Sequence, residues 1–398
     1  MGVPKLRFKA DDGSDFPDWE GMTLGDVGSV AMCKRVFKEQ TREVGDVPFF
    51  KIGTFGGVPD AYISKSLFDE LKSKYAYPEV GTILLSASGT IGRQVEYQGE
   101  DAYYQDSNIV WLEHDDTVLD SYLKQFYSVV KWQGLEGSTI KRLYNKTILD
   151  TPFYRPSLPE QRKIAGLLSA VDDVISAQEA EVAAWEKRKK GVMQKLFSQE
   201  VRFKADDGSD FPDWEEKTLG ELATLFTGKS FTSELSESGR YVVMDMGSVS
   251  SDGLIIDSKL TDSNRDLLRK GDLIMPKDDI GGGLIIGKTA YIPCDKKYVC
   301  GDHVYRLRFD NDIDALFMHY EINSSRIQRR LRRKVTGSAQ LGLNSKSVLY
   351  EIVSVPSFPE QRKIADCLAS LDDVIAKAKD ELDAWRELKK GLLQQMFV

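Results

Sequence analysis

Two long stretches of the chain repeat their apolar positions with the spacing of a coiled coil. In the first stretch the two interleaved series are Ile164, Val171, Gln178, Trp185, Val192 and Leu168, Ile175, Val182, Lys189, Leu196. In the second stretch they are Ile364, Leu371, Ala378, Trp385, Leu392 and Leu368, Ile375, Leu382, Lys389, Met396. An average spacing of about 3.5 residues predicts a helix that buries one seam against a partner. Each helix would have about 39 residues and a length of roughly 58 Å.

Each stretch begins with a helix-start signature. Ser157 and Ser357 are each followed by a proline two residues on and by a glutamate three residues on. This pattern predicts a capping box, in which the serine is the N-cap and the glutamate side chain returns to the N-cap backbone.

The regions before the two helices alternate short apolar runs with glycine-rich turns. The runs that predict strands are 82–85, 108–112, 241–244, 273–275 and 304–309, and those that predict helices are 120–133 and 314–334. The mixture favours an α+β fold with a mainly antiparallel or irregular sheet.

The chain consists of one module that occurs twice. The segment RFKADDGSDFPDWE is found at 7–20 and again at 202–215, and PEQRKIA opens both helices at 159–165 and 359–365. The predicted domains are two globular parts, 1–155 and 201–355, and two helices, 156–200 and 356–398. The simplest partner for each helix is the other copy, and a pseudo-two-fold axis would make the pair antiparallel, with a globular part at each end.

The middles of the two copies differ far more than the segments around them. A glycine followed by a basic residue still corresponds, Gly92-Arg93 in one copy and Gly287-Lys288 in the other, whereas the neighbouring loop residues do not. We interpret the chain as two domains with different targets on one shared frame. Drift after a duplication is the alternative interpretation.

Composition limits the class of protein. The chain has 398 residues, of which 41% are hydrophobic and 29% charged, and its net charge is −8. It has neither an apolar run long enough to span a membrane nor the apolar core of a secretory signal. Four scattered cysteines favour a reducing, cytoplasmic location. The acidic balance argues weakly against nucleic-acid binding, although a local basic patch would outweigh it.

The catalytic motifs in the sequence fit their chemistry poorly. Residues 282–289, GGLIIGKT, match the phosphate-loop pattern, but a short strand and a proline follow where that motif needs a helix. Residues 59–72 mimic the PD…ExK spacing of metal-dependent nucleases, yet 66–74 predicts an exposed surface helix. The three histidines and the cysteines complete no metal or nucleophile motif. We therefore predict a non-enzyme without a metal site.

Two stretches without acidic residues indicate a site for a polyanion. Residues 322–350 contain seven basic residues, and 137–149 contain three, with Gly, Ser, Gln and Asn between them. A solvated face normally mixes the two signs of charge, whereas single-sign runs beside small polar residues suit phosphates and base edges. An ordinary solvated surface is the alternative, especially for the first copy.

The complete pattern resembles the specificity subunit of type I restriction–modification systems, over the whole length of the chain. The resemblance rests on P-S-[LF]-P-E-Q-R-K-I-A at 156–165 and 356–365, D-W-E-x-x-T-L-G-[DE] at 18–26 and 213–221, and T-G-S-A-Q at 336–340. It implies that each middle is a target-recognition domain for one half of a split duplex DNA sequence, and that the helices set the spacer. Because the middles differ, the expected target is asymmetric.

The resemblance also implies a chain without catalysis, cofactor or metal of its own. Modification (methyltransferase) subunits, expected to be two, would dock on it and bring S-adenosylmethionine. Restriction (translocase and nuclease) subunits would join them and use ATP and Mg. The alternative is a non-catalytic adaptor with two protein-binding heads on a coiled-coil strut.

Individual DNA contacts are predicted mainly from charge and loop position. In the first copy they are Ser86, Ser88, Thr90, Arg93, Lys141, Arg142, Tyr144 and Asn145. In the second copy they are Lys277, Lys288, Arg329, Arg330, Arg333, Ser338, Gln340 and Asn344. The family pattern supports only the 336–340 loop directly.

Overall fold

The computed structural model describes residues 4–132, 142–257, 259–280, 282–337 and 340–397. The chain forms two compact units: unit 1 is Met1–Glu179 with Asp380–Val398, and unit 2 is Ala180–Lys379. Each unit therefore combines one globular part with half of each long helix. Within the described ranges no helix is both long and apolar enough to cross a lipid bilayer.

Unit 1 is built from three small sheets and the helices packed on them. Its strands are β1 Glu20–Thr23, β2 Gly28–Ala31, β3 Val47–Phe50, β4 Tyr62–Ile63, β5 Ile83–Ser86, β6 Gln94–Glu96, β7 Tyr103–Tyr104, β8 Ile109–His114 and β9 Pro152–Arg155. Its helices are α1 Lys65–Lys74, α2 Asp120–Val129, α3 Asn145–Leu149 and the first part of α4 Leu158–Phe197. The sheet orders are β2-β8-β5-β6, β4-β3-β7 and β1-β9. All pairs are antiparallel except β3 with β7.

Unit 2 repeats the three sheets of unit 1 and has one further two-stranded sheet. Its strands are β10 Glu215–Thr218, β11 Ala223–Thr227, β12 Tyr241–Met244, β13 Leu260–Thr261, β14 Leu273–Pro276, β15 Asp278–Asp279, β16 Ala290–Tyr291, β17 Tyr298–Cys300, β18 Val304–Phe309, β19 Leu341–Gly342 and β20 Ile352–Val355. Its helices are α5 Leu219–Leu222, α6 Ala315–Asn323, α7 Ser325–Arg333, α8 Ser345–Leu349 and the first part of α9 Phe358–Met396. The sheet orders are β11-β18-β14-β16, β13-β12-β17, β10-β20 and β15-β19. The predicted α+β class is confirmed.

The predicted helix over 314–334 is wrong in one respect, because the structure divides it into α6 and α7. Ser324, between the two, has extended backbone angles (φ −60°, ψ 148°), and its side chain accepts a hydrogen bond from the backbone N–H of Ile327. A serine that caps a new helix in this way ends the previous one.

The two long helices pack against each other antiparallel within each unit. The ion pairs between them are Asp172–Lys389 (2.5 Å) and Glu179–Arg386 (2.6 Å) in unit 1, and Asp372–Lys189 (2.5 Å) and Glu186–Lys379 (2.6 Å) in unit 2. In each unit the residue number rises along one helix as it falls along the other. Seam residues such as Leu168 and Leu368 are fully buried, so the predicted coiled-coil packing is confirmed.

The predicted capping boxes are wrong in their side chains. Ser157 Oγ is buried and finds no hydrogen-bond partner among the described residues. Glu160 instead accepts from Arg7 Nη2 (2.8 Å) and Trp19 Nε1 (3.0 Å), and its side chain is fully buried. In unit 2 the same contacts join Glu360 to Arg202 (2.8 Å) and Trp214 (3.2 Å). A guanidinium is a stronger partner for a carboxylate than the N-cap amide, so the repeated N-terminal segment takes the place of the cap.

The next residue of each repeat fastens the long helix to its globular part. Gln161 accepts from the backbone N–H of Leu119 (2.9 Å) and donates to the carbonyls of Thr117 and Pro156 (2.9 Å each). Gln361 accepts from Asp314 N–H (2.8 Å) and donates to Pro356 (2.9 Å). In both copies the repeated Glu-Gln pair, E-Q, therefore docks the long helix on its globular part.

Further contacts at matching positions establish which residues of the two units are equivalent. Leu24 N–H donates to Thr151 O (3.1 Å), as Leu219 N–H donates to Glu351 O (2.9 Å). Gln125 binds Asp172 (3.1 Å), as Tyr320 binds Asp372 (2.7 Å). We call these matched contacts, together with those of the E-Q residues, the shared frame. Within it, Thr151 corresponds to Glu351, and Phe126 to Glu321.

Candidate nucleic-acid interface

In unit 1 the loop after β5 brings four predicted contact residues together. Ser86, Ser88, Thr90 and Arg93 line a cavity of about 220 Å³. Ser86 Oγ donates to Thr90 O and accepts from Arg93 N (2.8 Å), and Ser86 is only 2% exposed. Its hydroxyl therefore holds the loop in shape. Thr90 and Arg93 are exposed at the surface of this loop.

The turn in this loop depends on Gly92. Its φ is +77°, and its N–H donates to Ser86 O (2.9 Å). A Cβ at this position would lie 2.8 Å from Trp132 Nε1, so both the backbone conformation and the close approach require glycine.

A second segment of unit 1 joins the same strand end. Leu143 N–H donates to Ala87 O (2.8 Å), and Arg142 forms a bridge to Ser88. The Arg142 guanidinium donates to Ser107 O (2.8 Å). Tyr144 is 47% exposed, and Asn145 after it begins α3 and is exposed. Lys141, also predicted here, lies outside the described residues.

Unit 2 builds the same backbone arrangement with different side chains. Gly287 has φ +75° and donates to Pro276 O (3.1 Å), as Gly92 does to Ser86. Leu343 N–H donates to Lys277 O (2.7 Å), as Leu143 does to Ala87. The correspondence of the two glycine–basic pairs is thus visible in the hydrogen bonds.

The remaining predictions in unit 2 have mixed outcomes. Asn344 accepts from Ser347 N–H (2.8 Å) and so caps α8, while Gln340 is exposed. Ser338 lies outside the described residues. Among the predicted arginines, Arg329 and Arg333 are exposed on α7. That these residues contact a ligand remains a prediction.

Arg330 has a structural role that the sequence did not indicate. Its Nε donates to Glu351 Oε1 (2.5 Å), and Nη2 donates to the carbonyl of Ile352. Glu351 is buried, so this arginine is neutralised inside the unit. Its predicted contact with a polyanion is untested, and the geometry gives it another function.

Lys288 lies beside α7. Gln328 Nε2, on that helix, donates to the carbonyl of Gly287 (2.7 Å), the residue before Lys288. Burial lowers the pKa of Lys288, and the nearby charge of Arg332 lowers it further, while Asp252 opposes the shift. Arg332 was not among the predicted contacts, although its position in the basic run could have indicated it.

Unit 1 also has a groove that none of the residues predicted from the sequence lines. A cavity of about 810 Å³ is lined by Arg35, Phe37, Lys38, Arg42 and Lys51, among other residues. Phe37 is 59% exposed. The signal was present in the sequence as basic residues around an aromatic one at 34–38. Two of the cations are already paired, Arg35 with Asp106 and Lys51 with Asp60 (2.9 Å each).

The motifs that imitate catalytic sites behave as expected from their sequence context. Residues 282–289 lead into the strand β16 Ala290–Tyr291, so no helix N-terminus follows the loop to hold a phosphate. Glu70, on the exposed helix α1, pairs with Lys74 (2.9 Å). These two stretches give no support to a phosphate loop or a nuclease centre.

Three possible metal ligands meet in unit 2, at positions far apart in the sequence. Ligand atoms of Asp245, Asp302 and His303 lie within 4.8 Å of one another. Asp245 already pairs with Lys259 (2.7 Å), and His303 Nδ1 lies 2.9 Å from Asp278. Asp245 and His303 therefore already have partners within the protein in this half-buried cluster.

Fold and site together define a duplicated recognition protein, in which one frame presents two different sets of surface side chains. Residues 17–184 and 212–384 each match the family of type I restriction modification DNA specificity domains. Because the two matches cover most of the chain, the chain belongs to this family.

Known proteins of this family resemble the chain in sequence. A putative type I restriction enzyme specificity subunit of Haemophilus influenzae is 54% identical over 155 residues, which are 39% of this chain and 40% of that protein. The type I restriction enzyme MjaVIII specificity subunit of Methanocaldococcus jannaschii is 26% identical over 414 residues, covering 98% of this chain and 95% of that protein.

Solved structures share the fold. The crystal structure of the S subunit of a type I restriction-modification system from M. genitalium superposes with a TM-score of 0.64 at 18% identity, covering 100% of this chain and 99% of that one. A chain from a structure of type I system assembly and conformational transition has a TM-score of 0.52 at 14% identity, covering 96% and 98%.

Proposed function

We propose that each unit of this chain binds one half of a bipartite, asymmetric duplex DNA site, as the recognition subunit of a type I restriction–modification complex. The observation that supports this most is the pair of specificity-domain matches around unlike middles. At equivalent places on the shared frame, unit 1 has Ala87 and Arg93 where unit 2 has Lys277 and Lys288. Different side chains on one backbone select different base sequences.

The helices and the partner subunits complete the proposal. We infer that α4 and α9 set the spacer between the half-sites and dock modification subunits, two per chain. In this scheme the chain is non-catalytic and needs no cofactor or metal. S-adenosylmethionine would be bound by the modification subunits, and ATP and Mg by restriction subunits. The complex would act in the cytoplasm.

Methylation mapping in cells tests the proposal directly. The chain is expressed with its modification subunits, and methylated sites are sequenced across the genome. We expect one split, non-palindromic motif. Replacing 217–355 with the corresponding middle of a relative should change one half of that motif and leave the other unchanged. A change in both halves would contradict the assignment of one half-site to each unit.

Salt dependence separates this proposal from a protein-binding adaptor. Binding of the complex to duplex DNA should weaken steeply as salt rises, because each phosphate contact contributes a slope of about −0.9 in log K against log salt. A flat response, or no duplex binding with modification subunits present, would favour the adaptor.

A further inference from the structure

The side chains of α7 fall into three groups around the helix axis. Successive residues are about 100° apart, so residues three or four apart share a side. The group that packs into the core is Ile327, Gln328 and Leu331. The group on one flank, at four-residue spacing, is Arg326, Arg330 and Lys334 at the helix end. The group on the other flank is Arg329, Arg332 and Arg333, which is exposed.

Two buried acidic side chains hold the three cations of the first flank. Glu351, with 2% of its side chain exposed, binds Arg330 (2.5 Å) and Lys334 (2.5 Å). Glu321, whose side chain has no exposed surface, binds Arg326 (2.6 Å). Buried carboxylates with short, charge-assisted contacts fix the cations that they bind. The rotation and position of α7 are therefore set from inside unit 2.

Both carboxylates are particular to unit 2. The shared frame places Phe126 and Thr151 of unit 1 at the positions of Glu321 and Glu351. Phe126 packs its ring 5.2 Å from that of Phe153, and Thr151 donates to Thr147 O (2.7 Å). The frame thus accepts neutral residues at both positions, so we relate the two acids to the cations of α7 and not to the frame.

The second flank has cations without such partners. Within the described parts of the chain, the side chains of Arg332 and Arg333 have no hydrogen-bond or ion-pair partner, and Arg329 donates only to Ser325 O of its own helix (3.2 Å). Gln328, at the edge of the core group next to Arg332, holds the loop before Lys288 against α7. Neighbouring like charges without a counter-charge repel one another, and a bound polyanion relieves that repulsion.

We propose that Lys288, Arg329, Arg332 and Arg333 bind phosphates of the half-site recognised by unit 2, and that Glu351 and Glu321 are positioning residues that hold α7 through the other three cations. This inference rests on the proposed function. The basic residues of α7, which have the same charge, would thus have two roles: some contact the ligand, and the others fix the helix.

Salt titrations test the phosphate contacts. The full chain with its modification subunits is titrated with a duplex that contains the mapped target. Arg332→Ala and Arg333→Ala should each reduce the magnitude of the salt slope by about 0.9, and weaken binding about eightfold at ~0.1 M salt relative to 1 M. Arg269→Ala, which removes one exposed positive charge before β14, at the end of the strand opposite Lys277, is the matched control and should leave the slope unchanged.

Removal of a negative charge tests the positioning role. Simple electrostatics predicts that Glu351→Thr, which gives the residue of unit 1, tightens DNA binding. Positioning predicts the reverse, a loss of about eightfold at ~0.1 M salt for one misplaced contact. Glu237→Thr, at an exposed acid of unit 2, controls for charge and should not weaken binding. If Glu351→Thr fails to fold, Glu351→Gln replaces it with the same expected direction.

The outcomes distinguish failure of the phosphate contacts or of the positioning role from failure of the proposed function. If wild-type binding is steeply salt-dependent but Arg332→Ala and Arg333→Ala leave the slope unchanged, the phosphate assignment is wrong and the proposed function stands. If both Glu351 variants bind as tightly as wild type or tighter, the positioning role is wrong. If the wild-type complex shows no salt-dependent binding, the proposed function itself fails.

Discussion

The two units use one frame but fill two of its equivalent positions with different kinds of side chain. Unit 1 has Phe126, in an aromatic cluster, and Thr151. In unit 2 the same positions hold Glu321 and Glu351, which bind cations of α7. The frame therefore accepts neutral residues, whereas the arginine-rich α7 takes its internal counter-charges from these two positions.

This difference indicates that the charge of a surface segment constrains which residues can lie beneath it. A buried carboxylate is costly unless a cation binds it, and the charge of that cation is then offset from inside the protein. Unit 2 uses three of its basic residues in this way. The sequence of a recognition segment and the sequence of its support must therefore change together when one domain is replaced by another.

The largest effect is expected where the units are alike. Glu160→Ala and Glu360→Ala each remove the buried carboxylate that joins the N-terminal segment of a unit to its long helix. Each should lower the free energy of unfolding by about 3–5 kcal/mol, as for other broken buried ion pairs. Hydrogen exchange at 7–19 and 202–214 measures each unit separately. If only one of the two variants lost protection in its own unit, the buried glutamate would not have the same importance in both units.

Glu321 should give the stability of unit 2 a pH-dependent contribution that Phe126, at the equivalent position of unit 1, cannot give. Burial raises the pKa of Glu321 to about 7, although Arg326 opposes the shift. The folded state then keeps a proton that the unfolded chain releases above its usual value of 4.5, so the stability contributed by Glu321 falls as pH rises from about 4.5 to 7. His319 acts in the opposite direction, because burial lowers its pKa from 6.5 to about 4 and the unfolded chain binds the proton between these values. The contribution of Glu321 is at most about 3 kcal/mol.

Comparison of variants isolates this contribution. Chemical denaturation of wild type and Glu321→Gln across that pH range should give unfolding free energies whose difference changes with pH, because only wild type loses the contribution of Glu321 as pH rises. The exposed control Glu216→Gln should follow the wild-type profile. Identical pH profiles for wild type and Glu321→Gln would show that Arg326 keeps the carboxylate ionised.

A smaller effect is expected at the contacts between helix and domain. Asp372 binds both Lys189 (2.5 Å) and the hydroxyl of Tyr320 (2.7 Å). Asp372→Ala should cost about 1–2 kcal/mol because the buried hydroxyl loses its acceptor. Tyr320→Phe should cost less, and should add nothing once Asp372 is alanine, which a double-mutant cycle of unfolding free energies measures. Additive losses would show that the two side chains act independently.

The periodicity of apolar residues predicted the long helices and several strands, because each of these elements is specified by neighbouring residues in the sequence. The heptad spacing predicted α4 and α9 because a buried seam repeats along one element, and β12 and β18 have the predicted bounds. The cap at Ser157 failed because the better partner of Glu160, Arg7, is 153 residues away in sequence.

The candidate site shows the same limit. The basic run 322–350 was selected because it contains no acid, yet Glu321 and Glu351 stand directly at its two ends. Whether a flanking acid is buried and turned toward the run depends on how α6 and β20 pack, which a window of sequence does not contain. Arg330 was therefore predicted to face a ligand, although it binds Glu351.

The smallest effect is expected at the half-exposed ion pairs along the helix seam, again alike in both units. Glu186–Lys379 and Glu179–Arg386 have side chains that are 45–50% exposed. Lys379→Ala should cost about 0.5 kcal/mol or less, because water screens such pairs and two long side chains must be ordered to form them. Arg386→Ala should be indistinguishable from wild type in thermal unfolding, in 0.1 M and in 1 M salt. A large, salt-sensitive loss at either position would mean that surface charge, and not the buried seam with its E-Q docking residues, holds the long helices together.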